Sequence, residues 1–160
     1  MPIPSAPSAL EALLLVHLAA TWCMVGVTWT VQLVVYPAFS SVGAGTFTAY
    51  HRGHTRRMSG LLALPWGLEV VTAALLVIVP VPGVPRWLPL LGAALLALIV
   101  GVTVAVAVPC HSRLADGFDP AVHRRLLASH GLRTAAWTAR GALAVILLIL
   151  GLRGLATAGA

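Results

Sequence analysis

The sequence predicts an all-α integral membrane protein, a four-helix bundle with a short interfacial helix before the last span. Three observations carry that reading. Apolar residues make up 59% of the chain and charged ones only 9%, with a mean hydropathy of +0.97, where a soluble domain averages about 25% charged residues. The apolar residues fall into four long runs, each close to the roughly 20 residues a span requires. The segments between the runs hold most of the arginine and histidine and both aspartates. Four spans and their connections use up the 160 residues. That leaves one transmembrane domain over 1–160 and confines any function to the bundle or its rim.

Taken in order, the first span covers about 10–39 and is ended by Tyr36-Pro37 and Ser40-Ser41. The residues before it carry no basic leader region, and the apolar run is longer than a signal-peptide core, so the segment reads as a retained span. A polar stretch over 40–57 leads to the second span, about 58–79. The proline-rich PVPGVPRWLP over 80–89 is a turn, which makes the second and third spans antiparallel neighbours. The third span, about 87–108, stops at Pro109. Asp119 is a good N-cap and Pro120 a good first helical residue, predicting a short interfacial helix from Pro120 to about His130. The fourth span covers about 132–155. No convincing internal repeat stands out, although both helix-pair halves have loops bearing His and Arg. Cys23 and Cys110 lie roughly 20 Å apart in depth at 1.5 Å per residue, too far to form a disulfide.

All the positive charge comes from ten arginines, and the formal charge is +6. A nucleic-acid partner needs a continuous exposed basic surface, and here the arginines flank spans instead, which excludes that class. Arg52, Arg56, Arg57, Arg113, Arg124, Arg125 and Arg133 fall on one side, against Arg86 and Arg153 on the other. The positive-inside bias then predicts a multi-pass cell-membrane protein with cytoplasmic long loops and both termini extracytoplasmic. Its first partner is the lipid bilayer.

Inside the spans, His17, Thr21, Thr28, Gln32 and Tyr36 share about a third of the first helix at 100° per residue. Such a stripe faces inward, either lining a cavity or tying helices together. Glu69 in the second span and Arg140 in the fourth are the evident ion pair, because ionisable groups at that depth face inward and pair. The pair is either structural or frees Glu69 to act as a ligand or proton acceptor in a cavity widened by Pro65. Arg133, Trp137 and Arg140 form an Arg-Trp-Arg stripe. It would either hold an anionic or planar aromatic group or consist of a snorkelling arginine and a belt tryptophan.

Five of the six histidines lie in the two same-side loops, at 51, 54, 111, 123 and 130. His51 and His54 share one side of a helical turn, and His111 follows the Pro109 break at similar depth. These three are the candidate ligands of a transition metal, for which copper, iron and zinc all suit imidazole. The bland alternative is hydrogen bonding to phosphates or loop carbonyls. His17 has no histidine partner on another span, which argues against a transmembrane haem.

Four stretches resemble a family of small bacterial membrane proteins related to the anthrone-oxygenase-like, DUF1772-type domain. They are W-x-x-Q-x-x-x-Y-P-x-F (Trp29, Gln32, Tyr36, Pro37, Phe39), F-x-x-Y-H-x-x-H (Phe47 to His54), V-P-x-H-x-x-L (Val108 to Leu114) and H-G-L-R-T (His130 to Thr134). His111 and His130 stand where the family pattern has asparagines. The resemblance implies a four-helix bundle with its site where the motifs converge, and oxygenation of polycyclic phenolic substrates.

These readings give two expectations of function. The first is a membrane oxidoreductase, metal- or cofactor-assisted, acting on a lipophilic aromatic or quinone-like small molecule in a cytoplasmic-side cavity. Glu69, Tyr36 and Gln32 would be its catalytic residues, and Arg133, Trp137, Arg140 and Trp29 would bind substrate. The second is a non-catalytic bundle, an assembly factor or complex subunit, whose Arg/His loops bind a partner or anionic lipid. A transporter would need a homodimer to supply the repeat this chain lacks.

Overall fold

The computed structural model describes residues 8–158; residues 1–7, on which the expected absence of a basic leader region rests, and residues 159–160 lie outside the described residues. Four helices, long and apolar enough to cross a membrane, form the bundle: α1 (Ala9–Ser41), α2 (Ala44–Ile78), α3 (Trp87–Leu114) and α4 (Pro120–Ala158). They contain 28 to 39 residues each, so every helix exceeds the roughly 20 residues of a minimal span.

Local chemistry sets the helix starts. At α1 the Ser8 hydroxyl accepts from the Glu11 backbone N–H at 3.3 Å, and the Ser8 N–H donates to the Glu11 carboxylate at 2.6 Å. This reciprocal box satisfies donors that would otherwise be orphaned. At α4 the Asp119 carboxylate accepts from the N–H groups of Ala121 and Val122 at 2.7 and 3.2 Å, as expected of that N-cap. In the turn between α2 and α3, Gly83 has φ 75°. A side chain at Gly154 would collide with the Pro82 carbonyl, so the end of α4 packs directly on that turn.

Three boundaries differ from the sequence expectation, and each corrects a predicted break. The polar stretch 40–57 is mostly helix, because α2 starts at Ala44 and carries Tyr50-His51-Arg52-Gly53-His54 in its early turns. The predicted interfacial helix is not separate: 120–130 is the start of α4, and Gly131 alone does not break it. Pro109 does not end α3, which runs on to Leu114.

Pro109 is tolerated because residues 103–107 form a wide π-type turn in which the Val108 N–H bonds to the Thr103 carbonyl. Residues 31–35 do the same before Pro37, with the Tyr36 N–H on the Val31 carbonyl. A proline removes one donor and pushes its ring at the carbonyl four residues back. A wide turn placed just ahead re-routes that bonding so the helix continues. The two devices recur at a constant spacing of 72 residues, 31–35 to 103–107 and Pro37 to Pro109. Ser40 and Ser112, and His51-Arg52 and His123-Arg124, keep the same spacing.

Around the bundle α1 packs on α2 and α4, and α3 on the same two. Three apolar layers fill it. Leu14, Leu76, Val81, Leu88 and Leu147 close the end that carries the termini. Met24, Val25, Leu96, Ile99 and Trp137 occupy the middle, and Tyr36, Phe39, Phe47, Leu114 and Leu126 the opposite, loop-bearing end. The outside is apolar too, with Leu64, Ile78, Leu33 and Val104 each more than 60% exposed. A coat of that kind suits acyl chains and not water.

Candidate functional site

Between the middle layer and the loop end the four helices enclose a cavity of about 820 Å³, within the range of small-molecule sites. Each helix places polar groups on it. From α1 comes Tyr36, set just after the first wide turn and only 4% exposed. α2 supplies His51, His54 and Trp66, α3 supplies Thr103 and His111, and α4 supplies His130, Arg133 and Trp137. Apolar side chains such as Met24, Val27, Val31 and Leu62 make up much of the remaining wall.

The polar groups are joined. The Tyr36 hydroxyl lies 3.0 Å from His111 Nε2, and His111 Nδ1 lies 3.1 Å from His51 Nε2. A neutral imidazole carries one donor and one acceptor nitrogen. A Tyr36 O–H donating to His111 therefore sets a donor on His111 Nδ1, aimed at His51. The chain ends at His51 Nδ1, which is buried and has no partner. Three imidazoles surround the Tyr36 ring edge-on, those of His130, His111 and His54, at 4.7, 5.8 and 6.2 Å between centroids. Behind them Gln32 Oε1 and the Thr134 hydroxyl each lie 3.1 Å from His130 Nδ1. Phe39, fully buried, fixes the cluster from below with its ring against Tyr36, His51, His54 and His123. His123 is turned away from the cavity and donates from Nε2 to the Tyr36 carbonyl at 2.8 Å.

Arg133 reaches the cavity from α4 and donates from Nη1 to the Thr103 hydroxyl at 3.2 Å, while its Nε is buried without a partner. Trp137, 1% exposed, closes the deep end, with Trp66 edge-on to it at 6.1 Å.

Several expected site residues lie elsewhere. Glu69 and Arg140 form the predicted ion pair, both buried, but neither lines the cavity. The Glu69 carboxylate accepts from the Thr21 hydroxyl and from Arg140, and Arg140 also donates to the Gly92 carbonyl. Pro65 does not open a space at Glu69; the widening lies nearer the loop end. Arg140 sits behind Trp137, 5.4 Å from its ring centre. His17 joins this second network through Thr72, its Nδ1 lying 2.8 Å from that hydroxyl. Trp29 is on the outer surface, 44% exposed, donating to Thr138 at 3.1 Å. Its large ring belongs to the lipid side of the wheel, one step off the inward stripe. Gln32 stands behind His130 and does not line the cavity.

The three histidines proposed as metal ligands do converge. The nitrogens of His51 and His111 face one another within hydrogen-bonding distance, and His54 packs 6.4 Å from His111 between ring centres. Among the described residues, however, no group of three His, Cys, Asp or Glu side chains is arranged to hold a metal ion. His130 and Trp66 were not among the expected site residues. His130 had a legible signal, since it extends the Arg133-Trp137-Arg140 stripe by one more turn on the same helix face. The chain matches no family model, no curated protein and no solved structure.

Proposed function

We propose that the protein is a membrane-embedded oxidoreductase-like protein that takes a lipophilic aromatic or quinone-like molecule from the bilayer into the cavity. One observation carries the reading: a largely apolar space of about 820 Å³ has a continuous Tyr36–His111–His51 hydrogen-bonded chain in its wall. An apolar space selects a ligand that prefers lipid to water, and Trp66 and Trp137 offer faces and edges for a ring. The residues supply the proton part of an oxidation. When a phenol or hydroquinone loses its O–H, the bond's electron pair stays on oxygen. The proton passes to the Tyr36 hydroxyl as that hydroxyl gives its own to His111 Nε2, and His111 Nδ1 gives its proton on to His51 Nε2. The ring's electrons then go to an acceptor, dioxygen in the oxygenase-like reading that the sequence motifs suggest. Glu69 has no part in this step, because its carboxylate is occupied by Thr21 and Arg140.

The test is equilibrium binding of an alkylated naphthoquinone to the protein in lipid nanodiscs, followed by quenching of tryptophan fluorescence. Saturable quenching in wild type, weakened about tenfold by His111→Ala and by Trp137→Phe, is the expected result. Absence of saturable quenching would remove the reading. A second reading, a non-catalytic bundle that binds anionic headgroups or a partner, is favoured by the exposed arginines of the loop end, Arg52, Arg56, Arg57, Arg113, Arg124 and Arg125. In either reading the arginine asymmetry favours a cytoplasmic loop end and extracytoplasmic termini. A reporter fused to the C-terminus should be active only outside the cytoplasm.

A further inference from the structure

The charge around the cavity is one-sided. Arg52 and Arg56 line its mouth and Arg133 its interior, and no carboxylate lines it. All four acidic residues of the chain are accounted for elsewhere. Glu11 closes the cap of α1, Glu69 holds Arg140, Asp119 caps α4, and Asp116 is exposed in the link before it.

Arg133 is the informative one. It lies about 20 Å along α4 from Pro120 at 1.5 Å per residue, within an apolar wall. The acceptors around it are neutral: the hydroxyl of Thr103, which itself donates to the Ile99 carbonyl at 2.7 Å, and the nearby hydroxyl of Tyr36. Its Nε is buried and unpartnered. A guanidinium has five donors in a planar fork suited to paired oxygens, and leaving that charge without a counter-ion at a half-buried position beside an apolar cavity is costly. Arg140, two helical turns deeper on the same face, shows how this chain treats an arginine that only supports the bundle: it is given a carboxylate and a backbone carbonyl.

Resting on the reading of the cavity as a site for a lipophilic aromatic, we propose that the ligand is bound as an anion. Its acidic oxygen, a phenolate, enolate or carboxylate, pairs with Arg133, and its ring lies toward Trp137. Tyr36 and His111, which stand beside Arg133 in the cavity wall, meet the same end of the ligand. The substrate class narrows to acidic, oxygen-bearing aromatics such as hydroxyquinones with an ionised hydroxyl.

Two matched probes test this in the nanodisc assay: an alkylated hydroxynaphthoquinone, ionised at neutral pH, and the same alkylated naphthoquinone without the hydroxyl. Wild type should bind the anionic probe about tenfold or more tightly than the neutral one. Lowering the pH until the hydroxyl is protonated should remove the preference without any change to the protein sequence. Arg133→Leu should erase the preference, bringing the two probes within about threefold of each other, and Arg133→Lys should keep part of it. Equal binding of both probes to wild type would overturn the anionic assignment and leave the cavity reading intact. A preference that survives Arg133→Leu would overturn the role of Arg133. Failure of both probes to bind wild type would overturn the cavity reading and this inference together.

Discussion

The molecule contains two buried polar networks that differ in how completely they are satisfied. Near the middle, Glu69 and Arg140 cross from α2 to α4, tied to Thr21 and to the Gly92 carbonyl. The adjoining space beside His17 and Arg140 is only about 10 Å³, room for about one water. Toward the loop end, Tyr36, His51, His111 and Arg133 share a space some eighty times larger and leave His51 Nδ1 and Arg133 Nε without partners. Charges that are paired and enclosed hold helices in register. Polar groups left open around a cavity are held ready for something else. The strongest ionisable pair in the sequence thus lies within the closed network, and the weaker-looking histidines and the lone arginine form the candidate site.

Substitutions can break that contrast, and the largest effect belongs to the closed network. Glu69→Gln should destabilise the bundle by about 3 kcal/mol, since it leaves Arg140 charged and uncompensated in a dry setting. Adding Arg140→Leu should recover part of that loss. A double variant that melts in detergent no higher than the worse single one would show that the pair is not coupled. Thr21→Val comes next, removing a donor from the Glu69 carboxylate at a cost of about 1–3 kcal/mol, read as a lowered Tm. In the open network the same assay should move little. Tyr36→Phe removes one hydrogen bond to His111, worth about 1 kcal/mol, while probe binding weakens by more than its Tm suggests. Arg133→Leu should leave the unliganded Tm unchanged or raise it, because an unpaired guanidinium is kept for binding at the expense of stability. A fall in Tm as large as that of Glu69→Gln would erase the distinction between the networks.

Much of this architecture was legible in the residues. Hydropathy alone gave four spans, depth gave the Glu69–Arg140 pair, and antiparallel neighbours gave the meeting of His51 with His111. What stayed hidden depended on continuity. Pro37 and Pro109 read as stops because a proline inside a regular helix removes a donor and clashes. A wide turn ahead of each one resolves the clash, and wide turns leave no distinct signature in Val-Gln-Leu-Val-Val or Thr-Val-Ala-Val-Ala. Those turns aim Tyr36 and His111 across the diagonal from α1 to α3. The placement of Glu69 outside the cavity was hidden for another reason. Depth along a helix is countable from the sequence, but which side of a tryptophan a neighbour falls on is not. The 72-residue recurrence is faint in the residues because, between the proline, serine and His-Arg pairs, few other positions match.

The wide turns also govern where these helices can change length. Elsewhere in α1 or α3, losing one residue would rotate everything beyond it by about 100° and carry Tyr36 or His111 out of phase with the cavity. Within 31–35 and 103–107 one residue is in excess of a regular turn. A deletion there can be taken up by winding back to an ordinary helix, with both flanks keeping their faces. What returns is the collision between the proline ring and the carbonyl four residues back. In these two helices the slack and the prolines are therefore coupled, and a chain that lost a residue from either segment would be released from the need for its wide turn only if Pro37 or Pro109 were replaced as well.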